Sequence, residues 1–181
     1  MPSYSLAKFS ADQPNLWAPL LLPACLFACD ASAGATTTFD VARFSPAADE
    51  PSRETWSLVH PPVAPTAPAP TAAPEWLDQL DPASREDLLH LAAACVIVAI
   101  LRASEDLRVA RVSRRGPWLD FHLETADGSE AGVLAAFGTA EADTSRALAN
   151  VARHVEGAPG GQKFAGAVAF GTKMAAIRVF S

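Results

Sequence analysis

The feature that most constrains this chain is an apolar stretch at 84–102, with the sequence SREDLLHLAAACVIVAILR. Every residue from 88 to 101 except His90 is apolar, so a helix here has no polar face for water. Such a helix belongs inside a protein core or inside a bilayer. These fourteen residues span about 21 Å at a rise of about 1.5 Å each, which is less than the roughly 30 Å of a hydrocarbon core. We therefore predict a buried core helix and not an integral membrane span.

The residues around this helix predict the fold class. Asp81 is a favourable N-cap and Pro82 suits the first helical position, although the β-branched residues 96–98 leave a buried strand as an alternative for the end of the helix. A second, amphipathic helix is expected to begin at Thr139. Period-two alternation predicts strands at 107–112, 118–124, 131–137, 164–170 and 174–180. We predict an α+β domain over 81–181, in the order α-β-β-β-α-β-β, with the apolar helix packed on a mainly antiparallel sheet.

The first eighty residues have a different composition, because all but two of the fifteen prolines precede residue 83. We predict an apolar extended arm over 1–44, with a possible short strand at 36–44. A linker rich in Pro and Ala follows over 45–80, where polyproline II is favoured. Trp56 and Trp76 are interpreted as isolated aromatic anchors within this linker. Removal of residues 1–80 is then expected to leave a folded domain.

The apolar segment 16–29 has two interpretations. It could be a secretory signal, since residues 26–29 resemble a lipoprotein cleavage box that ends at Cys29. However, Lys8 is offset by Asp12, and Pro19 and Pro23 interrupt the run, so we favour an apolar arm of a cytoplasmic protein over an exported lipoprotein. The odd number of cysteines (Cys25, Cys29 and Cys95) indicates buried or inert thiols in a reducing compartment.

Charge argues against a nucleic-acid partner. The net charge is −6, and residues 1–101 carry −7 of it, from four basic and eleven acidic side chains. Residues 102–181 carry +1, so neither half has the excess of Lys and Arg that binds phosphates.

The strongest candidate for chemistry is the set Asp120, His122 and Glu124. Period-two alternation places these three side chains on one face of a strand, where they could hold a divalent metal. The alternative is that they form the solvent-facing side of an antiparallel strand, and we favour this interpretation. We therefore expect no metal and no cofactor, and we name the three residues only as weak catalytic candidates.

The order of elements is similar to the core of the PD-(D/E)XK nucleases, and residues 117–120, Pro-Trp-Leu-Asp, resemble the start of their motif. The resemblance implies that the next strand supplies an acidic residue and a lysine. Residues 133–137 read VLAAF and contain neither, which implies a domain that has lost the chemistry. The order also resembles that of small acidic secretion chaperones, which implies pairing through a helix or a sheet edge and capture of partner segments.

These observations favour a non-catalytic interaction subunit or adaptor, which docks a protein partner or a second copy of itself through its apolar N-terminal arm. The chain has no Gly-x-Ser-x-Gly motif and no complete catalytic set. The alternatives are a metal-dependent or degenerate nuclease or hydrolase, and a lipid-anchored envelope protein. The predicted partner-binding residues are Leu16, Trp17, Leu20, Leu21, Leu22, Leu26, Phe27, Trp56 and Trp76.

Overall fold

The computed structural model of this protein describes residues 1–62, 84–115, 118–159 and 161–180. Its helices are α1 (Phe9–Asp12), α2 (Ala18–Cys29), α3 (Arg85–Glu105) and α4 (Ser145–Glu156), and a 3-10 turn covers Leu6–Lys8. Its strands are β1 (Ser3–Ser5), β2 (Thr36–Phe44), β3 (Ser52–Val59), β4 (Arg108–Arg115), β5 (Trp118–Glu124), β6 (Glu130–Thr139), β7 (Gln162–Ala169) and β8 (Met174–Phe180).

All of these strands form one sheet in the order β1-β3-β2-β8-β7-β6-β5-β4. The pairs β2–β3, β4–β5, β5–β6 and β7–β8 are antiparallel. The pairs β1–β3, β2–β8 and β6–β7 are parallel. The sheet is therefore mixed with a majority of antiparallel pairs, and the predicted α+β class with an apolar helix packed on the sheet is confirmed.

Helix α3 occupies the centre of the core. Every side chain from residue 91 to residue 101 is at most 1% exposed, because α2 and the sheet, chiefly β6, cover it. Ser84 is the N-cap, and its Oγ accepts a hydrogen bond from Asp87 N–H at 3.4 Å. The helix continues to Glu105, so the buried-strand alternative for residues 96–98 is wrong. The predicted N-cap, Asp81, lies outside the described residues.

Helix α3 is also the one helix in the described part of the chain that is long and apolar enough to cross a membrane. Its most apolar window has a mean hydropathy of 1.8, and 67% of that window is buried inside the protein. A single helix of this kind is a weak indication of a membrane span, because the core helix of a soluble protein has the same length and composition.

Residues 1–62 are folded, and this corrects the predicted extended arm and the first part of the predicted linker. The rest of the predicted linker, 63–80, lies outside the described residues. Residues 18–29 form helix α2, with Pro19 in its first turn and Pro23 on its exposed side. Residues 52–59, which were predicted to be linker, form β3. The predicted strand at 36–44 is confirmed as β2, which pairs with β3 on one side and with β8 on the other. Residues 1–62 therefore share one sheet with the C-terminal strands.

Helix α4 packs on the opposite face of the sheet from α2 and α3, against β6, β7 and β8. The predicted apolar stripe is confirmed, since Leu148, Val151, Ala152 and Val155 are all buried. The predicted start at Thr139 is wrong, because β6 runs through Thr139 and the helix begins at Ser145. The fold thus has three layers, with the long helices α2 and α3 on one face of the sheet and α4 on the other.

Candidate functional site

The three predicted metal candidates each contact a different residue of β4. Asp120 pairs with Arg115, His122 Nε2 lies 2.8 Å from Ser113 Oγ, and Glu124 pairs with Arg108 at 2.6 Å. Among the residues that the structure describes, no group of three or more His, Cys, Asp or Glu side chains could hold a metal ion. Burial and the nearby Arg111 charge lower the pKa of His122.

Asp120 is buried, although we predicted a solvent-facing side for it. Arg115 Nε lies 3.0 Å from one carboxylate oxygen of Asp120, and His154 Nε2 lies 2.8 Å from the other. The indole of Trp118 stacks on the His154 ring at 5.1 Å, and Arg115 also donates to the His154 carbonyl. This cluster joins the β4–β5 hairpin to the C-terminal end of α4. Arg115, Asp120 and His154 are hydrogen-bonded to one another, so the cluster holds the hairpin against the end of α4.

We expect Asp120→Ala to destabilise the protein by about 2–3 kcal/mol, because it removes charge-assisted bonds from a buried site and leaves Arg115 Nε and His154 Nε2 without the carboxylate that they contact. Glu124→Ala is the matched control on the same strand. Its ion pair with Arg108 is more exposed, so we expect a loss of about 1 kcal/mol or less. Urea unfolding of both variants measures this difference, and equal losses would contradict a structural role for the Asp120 cluster.

The predicted partner-binding residues separate into four groups. Leu16, Leu21, Leu22 and Trp56 are buried within the chain's own core, and Trp17, Leu20 and Leu26 are half-buried. Trp76 lies outside the described residues. Phe27 is 59% exposed. The predicted docking role stays a prediction, and Phe27 is the member of the set most available to a partner.

Phe27 lines a groove of about 450 Å³, which we call the Phe27 groove. The groove lies between the C-terminal end of α2, the first turns of α3 and the turn that joins β7 to β8. Its lining residues are Phe27, Ala28, Asp30, Arg85, Leu89, Ala140, Phe170, Gly171 and Lys173.

Backbone and side-chain contacts fix the walls of this groove. Helix α2 ends at Cys29, and the left-handed backbone of Asp30 (φ 51°) lets the N–H of Ala31 reach the carbonyl of Leu26. Lys173 Nζ donates to the Cys29 carbonyl at 2.9 Å, so the β7–β8 turn is attached to the end of α2. The floor is apolar and buried, since Leu89 and Phe170 are 8% and 3% exposed. The groove is therefore preformed, with an exposed aromatic ring at its rim.

The charges in the groove are mostly positive. Arg85 and Lys173 contribute two cations and Asp30 one carboxylate, whereas the whole chain carries a net charge of −6. A local excess of positive charge in an acidic protein attracts acidic groups.

The thiols near the groove are not available for chemistry. All three cysteines are buried, as the sequence indicated, and Cys25 Sγ lies 4.0 Å from Cys29 Sγ. The contact with Cys25 and burial raise the pKa of the Cys29 thiol. A protonated, buried thiol is a poor nucleophile.

Sequence reasoning identified Phe27 but missed Arg85 and Lys173. These residues come from three elements that are far apart in the chain, and no local pattern connects them. Comparison with known protein families, with curated proteins and with solved structures found no match. The chemistry of the groove is therefore argued from its own geometry.

Proposed function

We propose that this protein is a non-catalytic interaction subunit that binds a segment of a partner protein in the Phe27 groove. The observation that carries the proposal is the exposure of Phe27, at 59%, beside a buried apolar floor and two cations. The contacts of Asp120, His122 and Glu124 support a non-catalytic role, because each of these side chains is engaged with a residue of β4.

An exposed phenylalanine is a suitable anchor for a partner. Aromatic side chains bury a large area at low conformational cost and are enriched at the centres of interfaces. Within the described residues, the other large apolar side chains that are exposed are Met1 and Val59, and neither lines this groove. Covering Phe27 therefore removes the largest exposed aromatic surface of the described chain from water.

The charges indicate the chemistry of the partner. Arg85 and Lys173 favour a segment that carries at least one carboxylate, and the apolar floor formed by Leu89 and Phe170 favours an adjacent apolar side chain. We therefore commit to an acidic, apolar peptide segment of another protein as the occupant.

This proposal is tested by selecting peptides from a random phage-displayed library on the full-length protein. We expect the enriched peptides to combine Asp or Glu with large apolar residues. Fluorescence anisotropy with a synthetic copy of an enriched peptide then compares variants. We expect Phe27→Ser and Arg85→Gln each to weaken binding by roughly tenfold, which corresponds to about 1.4 kcal/mol. Val59→Ser, an exposed apolar residue outside the groove, is the matched control and should bind like wild type.

Three results would overturn the proposal. The first is a set of enriched peptides without acidic residues. The second is peptide binding that is the same in the Phe27→Ser and Val59→Ser variants. The third is a dimer in sedimentation velocity that Phe27→Ser dissociates, which would assign the groove to a second copy of this chain.

A further inference from the structure

The first turns of α3 border the Phe27 groove on one side and a separate cavity on another side. Arg85 and Leu89 lie four residues apart and border the Phe27 groove. Glu86 and His90 also lie four residues apart, on the other side of the helix, and border a cavity of about 200 Å³. The residues that line this cavity are Glu86, Asp87, His90, Leu91, Trp118, Leu119, Phe121, Ala136 and Phe137.

The walls of the cavity are apolar and largely aromatic. The His90 ring packs on Phe137 with centroids 4.1 Å apart, and Phe137 packs on Trp118 at 5.4 Å. Trp118 in turn stacks on His154, so the wall is attached to the Asp120 cluster described above. Aromatic faces carry partial negative charge, so they attract a cation that lies close to them.

The cavity also has an unsatisfied polar atom. His90 Nε2 is buried and has no hydrogen-bond partner among the residues that the structure describes. Burial lowers the pKa of His90, so the imidazole is neutral at pH 7. With the proton on Nδ1, Nε2 is an acceptor, and a ligand with an N–H group satisfies it. Buried polar atoms are normally paired, which makes this acceptor a sign of a missing donor.

Carboxylates border the same cavity. Glu86 is exposed and Asp87 is half-buried, and both belong to the first turn of α3. They favour a positively charged ligand, because an ammonium group within a few ångströms of a carboxylate is stabilised by it. The volume lies below the roughly 300–1,000 Å³ of most ligand pockets, so the occupant is small.

We infer that this cavity binds a small primary amine in its ammonium form, with a short apolar body that packs against Trp118 and Phe137. The ammonium group donates to His90 Nε2 and is neutralised by Glu86. The apolar body fills the space that Leu91, Leu119 and Phe121 leave open. This site does not depend on the proposed role of the Phe27 groove.

Titration calorimetry with the full-length protein tests the inference, with 2-phenylethylammonium chloride as the probe and 2-phenylethanol as its uncharged analogue. We expect saturable binding of the amine at one site and at least tenfold weaker binding of the alcohol. Glu86→Gln and His90→Leu should each weaken amine binding severalfold. Glu141→Gln, which changes an exposed carboxylate outside the cavity, is the matched control and should bind like wild type.

Three results would overturn the inference. They are no saturable binding of the amine, equal affinity for the amine and the alcohol, and unchanged amine binding in Glu86→Gln. Because Glu86 is exposed, its substitution preserves the fold even where His90→Leu perturbs it. A lysine-containing peptide can also be tested. If it binds at this cavity and the free amine does not, the cavity recognises the lysine side chain of a protein, and this result also contradicts a free amine ligand.

Discussion

Deletion of residues 1–62 is expected to prevent folding of the rest of the chain. Strand β2 lies inside the sheet between β3 and β8, and its Phe39 and Val41 are 0% and 2% exposed. Without β2, strand β8 loses its hydrogen-bonded neighbour, and the apolar side chains beneath it are exposed to water. The composition of the chain suggested the opposite result, a domain over 81–181 that folds alone.

The loss of α2 uncovers helix α3. Helix α3 is apolar on every side, and α2 covers the side that the sheet does not reach, with Leu21 and Leu22 at 0% and 3% exposed. Full burial of one such side chain contributes about 1.5–3 kcal/mol. The deletion removes at least six large side chains from the core, Leu6, Phe9, Leu21, Leu22, Phe39 and Leu58. Together they contribute about 9–18 kcal/mol, which is comparable with the about 5–15 kcal/mol of net stability of an ordinary domain.

Circular dichroism and thermal melting of the fragment 63–181 measure this effect. We expect no cooperative transition, and we expect self-association through the uncovered face of α3. Co-expression with residues 1–62 as a separate polypeptide is the control and should restore a soluble, cooperatively melting complex. A fragment 63–181 that melts cooperatively as a monomer would show that the N-terminal segment is a dispensable arm.

The C-terminal elements could be predicted because their local patterns are strong. The alternation of Leu119, Phe121 and Leu123 predicted β5 with the bounds that the structure gives, and the spacing of Leu148 and Val151 predicted the buried face of α4. The apolar run of α3 predicted a buried helix because it has no polar face for water and is too short to span a bilayer.

Of the N-terminal elements, β2 was predicted, but α2 and β3 could not be, because tertiary packing overrides their local signals. Pro23 argues against a helix at a cost of about 3 kcal/mol, but burial of Leu21 and Leu22 alone offsets it. Strand β3 has a charged, exposed first half, so only Trp56 and Leu58 show the alternation of a strand. The parallel pairing of β2 with β8 joins residues that are far apart in the chain, which no local pattern reveals.

The two candidate sites could not be predicted for the same reason, and they share one structural element. The first turns of α3 present Arg85 and Leu89 to the Phe27 groove and Glu86 and His90 to the amine cavity. The groove thus has cations and the cavity has carboxylates. Because both sites depend on the position of these turns, a displacement of the start of α3 changes both at once.

Gly138→Ala is expected to cause this displacement and to destabilise the protein by more than the roughly 1–3 kcal/mol that is typical of an overpacked core. A Cβ atom at Gly138 would lie 2.0 Å from the carbonyl oxygen of Leu89 and 2.5 Å from its carbonyl carbon. Atoms cannot approach this closely, so β6 or the backbone of α3 must move. Helix α3 is covered by α2 and by the sheet, so it has no space into which it can shift without opening the core.

Gly171→Ala is the matched control, because a Cβ atom there meets its nearest neighbour, the Ala140 carbonyl oxygen, at an ordinary 3.4 Å. We expect this variant to remain within about 0.5 kcal/mol of wild type in urea unfolding. We also expect Gly138→Ala to weaken binding of both the acidic peptide and the amine, since Leu89 and Phe137 border the two sites. A Gly138→Ala protein with wild-type stability would contradict the close packing of β6 on α3. The protein could also be destabilised and still bind both probes normally. This result would show that the start of α3 keeps its position in spite of the clash. It would also show that the two sites do not depend on this contact.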